Sequence, residues 1–146
     1  MHLKIIAIGK PALDWARGGI ADYLQRLSRY AKTELEYLKE GTQAQNSERL
    51  LKASAGCRRV VMDERGKLQD TAAARACVDR WEMDSGIKRV AFLIGGADGH
   101  TAALRQEADE LWALSPLTLQ HELALVVLLE QLYRIQTIKR GEPYHR

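Results

Sequence analysis

Apolar residues recur along the chain in two alternating rhythms. The run LKIIAI (3–8) is short, β-branched and closed by Gly9, Lys10 and Pro11, which predicts a buried strand. From Asp14 to Ala31, the residues Ile20, Tyr23, Leu24, Leu27 and Tyr30 return at helical spacing. LEYL (35–38) predicts a second strand, ended by Gly41. GTQAQNSE (41–48) is polar and reads as a mobile loop, with Ser47 as the cap of a short helix through Ala53 and Gly56 as its stop. VVM (60–62) is strand-like, and ERGK (64–67) reads as the turn after it. Thr71 to Met83 predicts an alanine-rich helix with Ala73, Ala76, Cys77, Arg80 and Trp81 on one face, stopped by Gly86. RVAFLI (89–94) is the clearest strand of all. Thr101 is placed to cap a helix carrying Leu104, Ala108 and Leu111, and LWAL (111–114) reads as a last short strand. Pro116 breaks it, and a long helix runs from His121 to Arg140.

Strands and helices alternate throughout, which predicts an α/β fold: a parallel sheet with helices on both faces, in one domain spanning 1–146. No internal repeat, low-complexity run or linker interrupts it. In open parallel sheets, ligands sit beyond the carboxyl ends of the strands. Three stretches lie there: MDERGK (62–67), GGADG (95–99) and SPLTLQ (115–120).

Composition narrows the classes little. Hydrophobic residues make up 46% and charged residues 28%, ordinary for a soluble globular chain. The net charge of +3 permits an anionic partner without demanding one. Cys57 and Cys77 form no C-x-x-C pair and suggest a reducing compartment. The longest apolar run, LALVVLL, falls well short of the ~18 residues of a membrane helix. A cytoplasmic protein is expected.

The adjacent glycines of IGGADG (94–99) let a backbone approach a ligand closely or take a left-handed turn; a plain strand-to-helix turn is the other reading. A dinucleotide site would place G-x-G-x-x-G after the first strand, where GKPALD stands, so a nicotinamide-dependent oxidoreductase is disfavoured. The main chain of LSPLTLQ (114–120) offers unpaired groups to an adenine edge or a ribose, or simply leads into the long helix. HEL (121–123) opens like a zinc motif, but Leu125 stands where H-E-x-x-H needs its second His, so no metal is expected. The helix 121–140 is apolar over much of its circumference, which suggests burial against a partner subunit. Within it, Glu130 and Arg134 stand four apart: they pair, or Arg134 is free to meet a phosphate. The chain closes on PYHR (143–146), which combines a stiffener, a stacking face, a group titrating near neutrality and a phosphate-seeking guanidinium.

IGGADG, LSPLTLQH, LLEQLYR and the terminal GEPYHR, in that order and with MDERGK upstream, closely resemble the RlmH family over essentially the full chain. These are ribosomal large-subunit methyltransferases of the SPOUT class. The resemblance implies a C-terminal trefoil knot, a homodimer with the knotted regions packed together, and S-adenosylmethionine bound in the knot. It implies methylation of N3 of a pseudouridine in 23S rRNA on the assembled ribosome. Carried over by position, the cofactor pocket comprises Met62, Gly96, Ser115, Pro116, Leu117, Thr118, Leu119 and Gln120. Tyr144, His145 and Arg134 are implied for catalysis. One position departs: Leu125 stands where the family usually has an arginine, which raises the alternative of a cofactor-holding ribosome-assembly factor without activity.

Overall fold

In the computed structural model, which describes residues 1–146, ten elements alternate along the chain. They are β1 (His2–Ile8), α1 (Asp14–Leu27), β2 (Lys32–Leu38), α2 (Gln43–Ala53), β3 (Arg58–Leu68), α3 (Thr71–Met83), β4 (Arg89–Ile94), α4 (Ala102–Gln106), β5 (Glu110–Ala113) and α5 (His121–Lys139). The five strands form one sheet in the order β2-β1-β4-β3-β5, and every neighbouring pair is parallel. The expected α/β architecture is therefore present.

Alternation of side chains along the strands builds two cores, one on each face. Leu3, Ile5 and Ala7 of β1 join Val90, Phe92 and Ile94 of β4 under α1, α3 and α5. Ile6 and Ile8, with Ala91 and Leu93, face the other way against Leu50 of α2 and Leu104 of α4. Trp81, Phe92 and Trp112 lock the first core, with the two indoles stacked at 5.5 Å between centroids. Along α5, Leu125, Leu128, Leu129, Leu132 and Ile135 are buried in it. Helix α1 lies close against α5, where Gly19 leaves room for Val126: a Cβ at Gly19 would meet the valine methyls at 3.3 and 3.4 Å.

Four elements differ from the sequence reading. Residues 41–48 are not a loop: α2 begins at Gln43. Thr42, not Ser47, is its cap, because Thr42 and Gln45 close a capping box in which each side chain bonds the other's backbone N–H. Ser47 is buried instead, its Oγ accepting from Thr101 N at 3.0 Å. The predicted turn at 64–67 does not end β3, which resumes at Lys67 and Leu68 beside β5 after an excursion. Helix α4 stops at Gln106, so Leu111 belongs to β5 and not to the helix. On α3 the buried face is Ala74, Cys77, Val78 and Trp81; Ala76 and Arg80 point outward. Alanine at most positions blurs the helical period there, and the sheet decides which stripe is covered.

A single carboxylate ties the far strand to the rest. Glu110 of β5 accepts from both Arg58 nitrogens at 3.0 and 3.2 Å, from Trp81 Nε1 at 3.0 Å and from Trp112 Nε1 at 3.2 Å. Burial pushes its pKa up, but the donors from Trp112, Arg58 and Trp81 outweigh that and hold it below the ordinary 4.5. A lowered folded-state value means the bonus is present at neutral pH and is lost as acidification passes down through the carboxylate range. Glu110→Gln is therefore expected to cost about 1–3 kcal/mol at pH 7 and to flatten the fall in stability between about pH 5 and about pH 3. Urea denaturation at the two pH values tests this; parallel wild-type and variant pH slopes would refute it.

Candidate active site

Three strand ends build a crevice. Met62 pairs with Trp112, and so does Lys67, so residues 63–66 swing out of the sheet and return. The Asp63 carboxylate accepts the backbone N–H of Arg65 at 2.8 Å inside this excursion. Gly66 passes so close to β5 that a Cβ would lie 2.5 Å from the Leu111 carbonyl carbon. Only glycine fits there.

At the end of β4, Gly95 and Gly96 lead into a tight turn. Gly99 N–H bonds the Gly96 carbonyl at 3.1 Å, and Gly99 holds φ at +70°, the left-handed region. At the end of β5, Ser115 Oγ accepts from Leu117 N at 2.9 Å and pins the loop toward α5. Gln120 then caps α5, its side-chain oxygen accepting from the N–H groups of Glu122 and Leu123, both at 2.9 Å. Thr118 reaches across and donates to Glu64 at 2.7 Å, so the first and third loops clasp.

Between these loops lies a cavity of about 290 Å³, close to the lower end of small-molecule pockets. Its walls mix apolar side chains (Ile94, Leu114, Leu117, Leu119, Ala124) with the carboxylates Asp63, Glu64 and Asp98 and with Arg65, His100 and His121. The Asp63 side chain is only 4% exposed and lies 3.8 Å from the guanidinium nitrogens of both Arg65 and Arg105. His100 is buried, and its Nε2–H donates to the Met62 carbonyl at 3.0 Å. Burial lowers its pKa, with the Met62 carbonyl and Asp63 opposing in part, so the ring is neutral.

The residues expected to hold a ligand are largely gathered here. Met62, Gly96, Ser115, Leu117, Thr118 and Leu119 all line the cavity. Pro116 and Gln120 are not on its wall, and Gln120 is occupied in capping α5. The sequence reading did not single out Asp63, Glu64, Arg65, Asp98 or His100. The first four lie within stretches it had located; His100 immediately follows GGADG.

Arg134, Tyr144 and His145 form a separate cluster further along α5. Arg134 lies ten residues beyond Ala124 of the cavity wall, about 15 Å along the helix axis. Arg134 pairs with Glu130 at 2.6 Å and lies over the Tyr144 ring, 4.8 Å from its centroid. Tyr144 packs edge-on against Tyr133, donates to Glu130 at 3.1 Å and meets the Tyr23 hydroxyl at 3.2 Å. Burial, then Tyr23 and Glu130, push its pKa well above the usual tyrosine range, so it stays a neutral donor. Glu142 accepts from Tyr30 at 2.5 Å. The tail is thus seated, not frayed. Arg134 donates to His145 Nδ1 at 3.1 Å, which leaves a neutral His145 with its proton on Nε2 and no free lone pair while that contact holds. No group of three or more His, Cys, Asp or Glu side chains is placed to hold a metal, and no helix is long and apolar enough to cross a membrane.

Comparison with known proteins gives a consistent picture. The family described as predicted SPOUT methyltransferase matches residues 1–145. The ribosomal RNA large subunit methyltransferase H of Thermus thermophilus is 49% identical over 146 residues, covering all of this chain and 99% of its own. The protein of that name from Deinococcus radiodurans is 44% identical over 146 residues, covering 100% and 99%. Among solved structures, a probable methylase family protein from Haemophilus influenzae shares the fold at TM-score 0.59 and 13% identity, covering 99% of this chain and 70% of its own. The SpoU methyltransferase AviRb of Streptomyces viridochromogenes does so at TM-score 0.50 and 15% identity, covering 97% and 61%.

The Glu64–Thr118 clasp makes the first prediction about the crevice. Glu64→Ala is expected to raise amide hydrogen exchange across residues 115–120 severalfold while changing global stability by less than about 0.5 kcal/mol, because both partners are exposed. Exchange in that loop identical to wild type would show that the clasp holds nothing.

Proposed function

The chain belongs to the SPOUT methyltransferase family and, within it, to the large-subunit ribosomal RNA methyltransferases, and on that premise we propose that it moves a methyl group from S-adenosylmethionine to N3 of a pseudouridine in 23S rRNA of the assembled ribosome. The observation that carries the cofactor reading is the lining of the crevice. Asp63 sits between Arg65 and Arg105, but Glu64 and Asp98 leave the crevice acidic on balance, which favours a cationic ligand such as a sulfonium over a pyrophosphate. Apolar walls from Ile94, Leu114 and Leu119 suit an adenine ring, and main-chain groups of the 96–99 and 114–119 loops border the crevice where its polar edges would lie. The same charge pattern argues against a dinucleotide.

A bound S-adenosylmethionine would supply an electrophilic methyl carbon and leave as the neutral thioether. What remains for the protein is alignment and one proton. The N3–H proton must leave, and His145 is its acceptor once the ring turns away from Arg134 and frees Nδ1. Arg134, so released, faces the charge that develops on the flanking carbonyls. Tyr144 offers a stacking face to the unpaired base.

The separation of the two clusters gives a reason for a homodimer. One chain's Arg134, Tyr144 and His145 serve a crevice on the two-fold related copy, with the half-buried flank of α5, including Leu123 and Val127, against the partner. The proposal includes the family's trefoil knot in the C-terminal third and a cytoplasmic setting, where ribosomes are found. The alternative of an inactive assembly factor rested on Leu125. That residue is 2% exposed within the main core, so its change from arginine is absorbed by packing and no observation favours that reading.

The test is methyl transfer from tritiated cofactor to ribosomes lacking the modification, with S-adenosylhomocysteine binding measured by calorimetry. Wild type is expected to label ribosomes and to label naked transcript poorly. His145→Ala is expected to slow transfer roughly 10²-fold or more with product affinity unchanged. Unchanged turnover removes His145 from the chemistry. Thermal stabilisation by NAD but not by S-adenosylhomocysteine would overturn the cofactor assignment itself.

A further inference from the structure

His100 is the one buried side chain at the crevice with a polar atom left unpartnered. Its Nδ1 is shielded from solvent and has no hydrogen-bond partner. The opposite nitrogen holds the Met62 carbonyl at 3.0 Å. The ring edge rests on Gly95: a Cβ there would lie 2.9 Å from Cε1 and 3.2 Å from Nδ1. The imidazole therefore fills the space between the end of β3 and the glycine turn after β4. It is braced from behind as well. The His100 carbonyl accepts from Arg105 at 2.7 Å, and Gln43 of α2 donates to the carbonyl of Asp98 at 2.8 Å and, more weakly, to that of His100 at 3.4 Å.

We propose that His100 is a positioning residue for the cofactor: a neutral spacer that sets the width of the crevice between Met62 and Gly95. This rests on the cofactor reading given above and adds a residue to it. The spacer works only in the neutral form. A proton on Nδ1 would face Gly95 with no acceptor, and the protonated ring has to leave its slot. The charged groups around it are Asp63 on β3, itself beside Arg65, and Arg105 on α4; α2 presents only the uncharged Gln43 and Ser47. Asp63 favours the protonated ring and Arg105 opposes it, and burial decides for the neutral one. Acidification is thus expected to loosen cofactor binding before it unfolds the chain.

The test is a coupling measurement on the full-length protein with S-adenosylhomocysteine as probe, read by calorimetry at pH 8 and pH 5. Gly95→Ala and His100→Ala are each expected to weaken binding roughly tenfold. Adding Gly95→Ala to His100→Ala is expected to cost less than twofold, because the new methyl enters vacated space. His100→Gln, which keeps a donor for Met62, is expected to bind with little pH dependence, whereas wild type weakens at pH 5. Additive effects of the two alanines, or equal pH dependence in wild type and His100→Gln, would overturn the assignment. If wild type binds no S-adenosylhomocysteine, the cofactor reading fails on its own. The spacer is then read from amide exchange at 62–65 and 95–99, which His100→Ala must raise, and unchanged rates there overturn it.

Discussion

The double engagement of Trp112 by Met62 and Lys67 is the constraint on which the rest of the crevice hangs. A parallel strand normally advances in step with its neighbour. Here β3 leaves the sheet after Met62, spends four residues outside it and rejoins β5 at the residue it left. The detour turns the Met62 carbonyl, the Asp63 and Glu64 carboxylates and the Arg65 guanidinium toward one space instead of distributing them over two faces. Its return requires Gly66, since any Cβ would overlap the Leu111 backbone. Around the pivot, Trp112 is held from both sides: its ring stacks on Trp81, and its N–H, like that of Trp81, ends on Glu110. A stable core feature and a wall of the crevice are thus the same few residues.

The crevice and the terminal cluster share one helix, which fixes the distance between them. The first turn of α5 is fixed by Gln120 and by Glu122, whose carboxylate accepts the Leu13 N–H at 3.0 Å at the start of α1. The backbone bond to Leu13 is the main reason its pKa lies below the ordinary value, and Leu13 immediately precedes α1. The last turns of α5 carry Glu130, Tyr133 and Arg134, onto which the tail folds. Helix α1 touches both ends, through Leu13 at one and Tyr23 at the other. A rigid rod about 28 Å long, clamped along its length, fixes the position of the tail relative to the crevice within one chain and forces any meeting of the two to occur between chains.

Much of this was legible in the residues. Strand β1 announced itself as a β-branched run and β4 as the clearest apolar one, and α3 and α5 began at the expected residues. The three loops that enclose the crevice followed from a rule about parallel sheets and not from any single motif. What escaped was of three kinds. Polar sequences hid structure when their polarity served the backbone: Thr42 and Gln45 close a capping box, and Ser47 is buried as an acceptor, so a helix looked like a loop. The bulge at 63–66 escaped because a turn signal says where a strand deviates and not whether it comes back. Side chains whose role depends on the neighbouring loop, His100 above all, carry no mark in the linear order.

Under the proposed mechanism, the seated tail bears on how a reaction without a strong catalytic group is controlled. In one chain, Arg134 is shared among Glu130, His145 and the Tyr144 ring, and His145 spends its lone pair on Arg134. Both groups that chemistry at a uracil-type nitrogen needs, a base and a positive charge, are therefore satisfied by each other at rest. A folded rRNA surface supplies phosphates for the guanidinium and a base for Tyr144 to stack on, contacts that compete with the internal ones. Release of the lone pair is then coupled to arrival of the right substrate. A short oligonucleotide offers fewer of those contacts, and the internal pairing wins. In the proposed reaction, preference for the assembled particle would follow from the tail's own contacts and would need no strongly basic surface, which a chain of net charge +3 does not have.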